Sequence, residues 1–226
     1  MMKAGRLASA PGFASTAREN QPTGDIAMGL VVLVLGLILF LGPHVFVTMR
    51  PQRAAAVKQL GEWGYKGLFA VVSVAGLYVA GKGFGMYDAA GPLVLWTAPA
   101  WMWHITEALM LLACIFVAAA YLRGNIRRTL KHPMLVGVKT WAVAHLLVNG
   151  DVGGIILFGS VLAWAVYDRI TLKHRSDPGA PPIPEGGLRN DIAAVIVGII
   201  LFLALGFVFH PVVVGRHVFG TPAFGT

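Results

Sequence analysis

Seven histidines are spread through a chain with few other ionisable side chains, and six fall in or beside apolar runs: His44, His104, His132, His145, His210 and His217. The densest stretch is KHPMLVGVKTWAVAHLLVNGD, residues 131–151, with two histidines, a tryptophan, an asparagine and an aspartate in one helix-sized segment. His132 and His145 are 13 residues apart, and an α-helix separates such a pair by roughly 20 Å. They cannot share one metal ion, and zinc logic of the HExxH kind, with histidines four apart, does not apply. A histidine beside Asn149 and Asp151 in hydrocarbon costs free energy and so marks a functional candidate. Taken singly, each histidine has a plainer reading, a ring bonded to a carbonyl near a helix end. Glu107, three residues after His104 and on the same helix face, is either its partner or a proton carrier.

Depth restricts which histidines meet. His44 lies six residues before Arg50 and His145 six after Lys139, so each sits roughly 9 Å along its helix from a basic residue. The two are expected to face one another, with His104 and His132 in reserve. Paired imidazoles across a helix bundle are a common way to hold a heme iron. Trp141, Trp103 and Trp63 are candidates to wall such a group, and Lys139 or nearby arginines to meet its propionates. No CxxCH is present, so a heme would be held non-covalently. On the residues alone, heme, another metal and no cofactor all stay open.

Membrane-spanning elements must position these side chains. Of 226 residues 57% are hydrophobic and 12% charged, about half the charge of a soluble domain, and the mean hydropathy is +0.72. These values indicate an all-α, polytopic transmembrane bundle of about six spans. The net charge of +8 resides in loops, which fits anionic headgroups and not nucleic acid. One cysteine, Cys114, excludes a disulfide framework within the chain and reads as a small packing residue. Residues 1–27 read as a disordered tail or an extended start, and 28–226 as a single transmembrane domain. The spans are expected near 28–47, 68–80, 100–122, 134–147, 152–166 and 192–209, with a Pro/Gly connector over 177–187. Loops one, three and five are basic, which places them in the cytoplasm and both termini opposite.

GLILFLGPHVFVTMRP around His44, RRTLKHPMLVGVKTWAVAHLLVNGD and ILFGSVLAWAVYDR together resemble the NnrU family of bacterial membrane proteins, from Met28 to the C-terminus. The resemblance implies a multi-pass protein of the bacterial inner membrane, associated with nitrogen-oxide metabolism and denitrification. The family in turn resembles plant zeta-carotene isomerase, which implies heme b with histidine ligands and a redox-dependent cis–trans isomerisation of a polyene. On that resemblance the axial and catalytic pair is His145 and His44. The plant enzyme has a cysteine three residues before the ligand; here that position is Ala142, so ligand exchange with a thiol is not carried over. A lipid-soluble small molecule, membrane lipids, an electron-transfer partner and a second copy of the chain are the expected partners. The HPxxxG element, His132-Pro133 to Gly137, also resembles the isoprenylcysteine carboxyl methyltransferases. A membrane methyltransferase and a non-enzymatic membrane partner are therefore the alternatives.

Overall fold

The structure is a computed structural model and describes residues 22–174 and 186–219. Seven α-helices follow one another: α1 (Pro22–Phe46), α2 (Arg50–Ala89), α3 (Ala100–Tyr121), α4 (Asn125–Leu130), α5 (Pro133–Val148), α6 (Val152–Lys173) and α7 (Leu188–Ala204). A π-helical segment, Leu205–Val214, continues α7. Helices α1, α2, α3, α6 and the continuous Leu188–Val214 stretch are each long and apolar enough to cross a membrane. Their outer faces carry exposed Val31, Leu35, Val71, Val74, Ile196 and Ile200, the pattern of a lipid-facing surface. The chain is a multi-pass helical membrane protein.

Two boundaries differ from the sequence expectation. Helix α1 begins at Pro22, upstream of the expected Met28, because proline suits a first helical position and Asp25 in the first turn complements the helix dipole. The second run, expected over 68–80, is part of a 40-residue helix. Weak hydropathy hid its amphipathic start, where Arg50, Arg53 and Lys58 precede a break at Gly61 (φ 72°), a backbone conformation suited to glycine. The 177–187 connector lies almost wholly outside the described residues, as does most of the N-terminal tail.

The helices pack side to side in the order α2, α1, α6, α5, α3, α7, an open arc in which no extended contact joins α7 to α1 or α2. Its tightest joint is α1 on α2. Gly29, Gly36, Gly76 and Gly83 lie where any Cβ would strike the backbone of the opposing helix, at Tyr87, Ala80, Phe40 and Leu33 respectively. Small residues at such spacings let backbones approach closely where no hydrophobic effect drives helices together. Both loop groups close with hydrogen bonds. At the basic end, Asp191 in the first turn of α7 accepts from Ile126 N (2.9 Å) and Asn125 Nδ2 (2.8 Å), fastening the loop after α3 to α7. At the other end, Leu95 N and Trp96 N donate to Gly150 O (2.7 and 3.1 Å), and Val152 N to Leu93 O (3.0 Å). Loops two and four thus meet at one end, and loop three is fastened to the start of α7 at the other.

Candidate functional site

Helix α5 has 16 residues, about 24 Å, and falls short of a membrane's roughly 30 Å hydrocarbon core. It begins at Pro133, where a missing N–H leaves no intrahelical bond unmade. His145 lies in its last turn. The ring Nδ1 donates to Trp141 O at 2.9 Å, because the carbonyl accepts only, so Nε2 is the acceptor atom. Trp141 (5.0 Å between ring centres) and Phe158 of α6 (4.5 Å, 25° between planes) flank the imidazole. Across from it stands a second imidazole, His210, with ring centres 6.3 Å apart and planes 14° from parallel.

His210 comes from the π segment, and the local backbone explains its placement. Pro211 offers no N–H to an α-helical ladder, and the helix widens over Leu205–Val214. Widening brings the carbonyl five residues back under the ring: His210 Nδ1 donates to Leu205 O at 2.9 Å. In α1 the ordinary spacing holds, and His44 Nδ1 donates to Phe40 O, four residues back, at 2.6 Å. Gly215, at φ 76°, then ends the helix. Arg216 beyond it pairs with Asp88 at the end of α2 (2.5 Å), which ties one end of the arc to the other.

His44 lies in a separate cage, made by Phe40 (4.7 Å), Phe69 of α2 (4.9 Å) and Trp164 of α6 (5.1 Å, edge-on). The expected partners, His44 and His145, both pack on α6, which lies between α1 and α5. Their contacts there, Trp164 and Phe158, are six residues apart, which on an α-helix means about 9 Å of rise and roughly 120° of rotation. Helix α6 thus stands between the helices that carry the two histidines. Conversely, His210 was left at the far end of the last span. The available signal was its His-Pro dipeptide, which repeats His132-Pro133.

The other candidates divide. His104 and Glu107 pair loosely, Nδ1 to Oε2 3.8 Å, with the histidine side chain 84% exposed. His132 precedes α5 at the basic end, and Lys139 is half-buried along the same helix. Trp141 does wall His145, whereas Trp63 is 83% exposed and walls nothing. Trp103 lines a pocket of about 180 Å³ at the end away from the basic loops, together with Asp88, Trp96, Asn149, Asp151 and Arg216. Asn149 and Asp151 have helix-end roles: Asn149 Nδ2 donates to His145 O (2.8 Å), and Asp151 Oδ1 accepts from Gly154 N (2.8 Å) to cap α6. The HPxxxG residues likewise have packing roles. Pro133 opens α5, and Gly137 lies against Ala113 O and Val117 of α3. Asp191, which the sequence reading passed over, fastens α4 to α7.

Among the described residues no group of three or more His, Cys, Asp or Glu side chains could hold a metal ion. A protein zinc site takes three or four such donors. A porphyrin brings four nitrogens of its own and asks the protein for only one or two axial ligands. Histidines anchored through Nδ1 suit that role, since the bond fixes ring and tautomer and leaves Nε2 for the iron. The donor set therefore fits a heme better than a bare cation. Comparisons with curated proteins and with solved structures found no match. The family model described as NnrU protein matches residues 32–218, a stretch that contains α2 to α7, His44, His145 and His210. The chain belongs to the NnrU family.

Proposed function

We propose that this protein is a heme b protein of the bacterial inner membrane, with His145 as an axial ligand, that isomerises a lipid-soluble polyene between cis and trans forms. The observation that carries the reading is His145 itself: an imidazole in the last turn of a short apolar helix, anchored through Nδ1 and flanked by Trp141 and Phe158, with no third donor beside it among the described residues. The resemblance to zeta-carotene isomerase supports the reaction class, and with it assigns the second axial position to His44.

Bound heme would supply reversible one-electron redox chemistry and, with one ligand displaced, a position at which a double bond can be engaged. The chain's own residues do the rest. Trp141 and Phe158 fix the ring of His145 and exclude water from it. Trp141 O accepts from Nδ1, which fixes the tautomer and leaves Nε2 as the free nitrogen. Among the described residues no extended contact joins α7 to α1 or α2, which offers a polyene dissolved in lipid a side from which to approach.

The test is an absorption spectrum of detergent-purified full-length protein from heme-replete cells, oxidised and dithionite-reduced, beside His145→Ala. The expected outcome is a Soret band with sharp reduced α and β bands, lost in His145→Ala. A featureless spectrum from the intact chain overturns the reading.

A further inference from the structure

We infer that the second axial ligand is His210 and not His44; this rests on the heme reading above and deepens it. A first-row metal binds imidazole nitrogen at about 2.0–2.1 Å, and the ring centre lies about 1.1 Å further on, so two trans imidazoles hold their centres roughly 6.3 Å apart. The centres of His145 and His210 are 6.3 Å apart, and their planes diverge by only 14°. Both rings are anchored alike, Nδ1 to a main-chain carbonyl at 2.9 Å. In each, Nε2 is the atom left to coordinate.

Two further observations point the same way. The backbones of α5 and the π segment make no extended contact, so the rings approach across a space that main chain does not fill. The segment presenting His210 is π-helical over ten residues, a conformation that occurs mostly as single turns and often at functional sites. The alternative role for the pair is plain aromatic packing, for which centres 4.5–7 Å apart are also ordinary. His44, by contrast, is enclosed by Phe40, Phe69 and Trp164 from three helices. Its ring lies on the far side of α6, and the apolar pocket of about 390 Å³ between α1 and α2 is lined by its neighbours Pro43 and Phe69 but not by His44 itself.

Ferric low-spin heme distinguishes the pairs without any assay of isomerisation. Purified full-length wild type, His44→Ala, His210→Ala and His210→Met are compared by absorption, heme content per chain and EPR, with monodispersity on size exclusion as the folding control. Wild type is expected to show the rhombic low-spin EPR signal of near-parallel imidazoles, and His44→Ala to keep it. His210→Ala loses the low-spin signal entirely. His210→Met, which keeps a ligand in place, acquires the charge-transfer band of thioether-ligated ferric heme and a raised reduction potential. A ligand role produces that gain; a packing role does not. The inference is overturned if His210→Ala retains the wild-type spectrum, or if monodisperse His44→Ala loses it. In both cases heme binding itself stands. Wild type without heme overturns the underlying reading as well, and is told apart from the ligand outcomes by its heme content alone.

Discussion

The two histidine environments use the same local device and differ in everything around it. His44 and His145 each bond a carbonyl four residues back on their own helix. Around His44 three aromatic rings complete the enclosure, beside a joint in which glycines of α1 and α2 bring the two backbones together. Around His145 two aromatic rings leave a side open, and a second imidazole stands there, carried by a segment whose helix has widened. The first environment belongs to the joint at which α1 and α2 are held together by backbone approach at glycine. The second holds its rings apart. An identical residue with an identical hydrogen bond thus acquires a different capacity from the groups that face it, three aromatic rings in one case and a second imidazole in the other.

The comparison is broken most severely by overfilling the tight side. Gly36→Leu forces a branched side chain into Ala80's backbone, which cannot yield as a side chain does, so the two helices must part and the loss exceeds the about 1–3 kcal/mol of ordinary overpacking. Thermal inactivation or denaturant unfolding in detergent should show the loss. Whatever Gly36→Leu protein remains folded keeps the His145 environment, read as an unchanged heme spectrum per folded chain. Opening the other side has a smaller effect. Phe158→Ala removes the ring stacked on His145 and a buried side chain, a change that costs about 3–5 kcal/mol in soluble cores. Here lipid on the outer faces offsets part of that cost, and the sharper readout is a weakened, broadened heme spectrum with His44 unaffected.

Changes at the two ends of the bundle come next. Asp191→Asn keeps the shape but removes the charge that accepts from Ile126 N and Asn125 Nδ2; it should lower the unfolding midpoint and expose the α3–α5 loop to protease. Arg216→Ala is the mildest. Its pair with Asp88 is more than half exposed on the arginine side, and exposed pairs contribute about 0.2–1 kcal/mol. The expected result is unchanged stability in high salt and a slight loss in low salt.

Much of the fold was legible before any coordinates. Apolar run lengths and the alternation of basic and non-basic loops set the number of spans and the sharing of loop ends, because hydrocarbon admits only helices whose backbone bonds are internal. Boundaries were less legible where hydropathy is weak, as in Arg50–Leu60, whose basic residues ride on a helix that only its break at Gly61 separates from the span. Asp151 and Asn149 read as chemistry and turned out to cap helices, since a polar residue at a short helix's end serves unpaired main-chain groups first.

The sequence by itself determined which residues could bond a cofactor, how deep each lies on its own helix, and that an imidazole near a helix end would anchor to a carbonyl. These follow from spacing within one segment. Which histidines meet was decided only by tertiary structure. Depth is one coordinate of three, and the order in which helices pack supplies the others. Placing α6 between α1 and α5 separates His44 from His145, and ten π-helical residues around Pro211 bring His210 to His145 from 65 residues away in the chain.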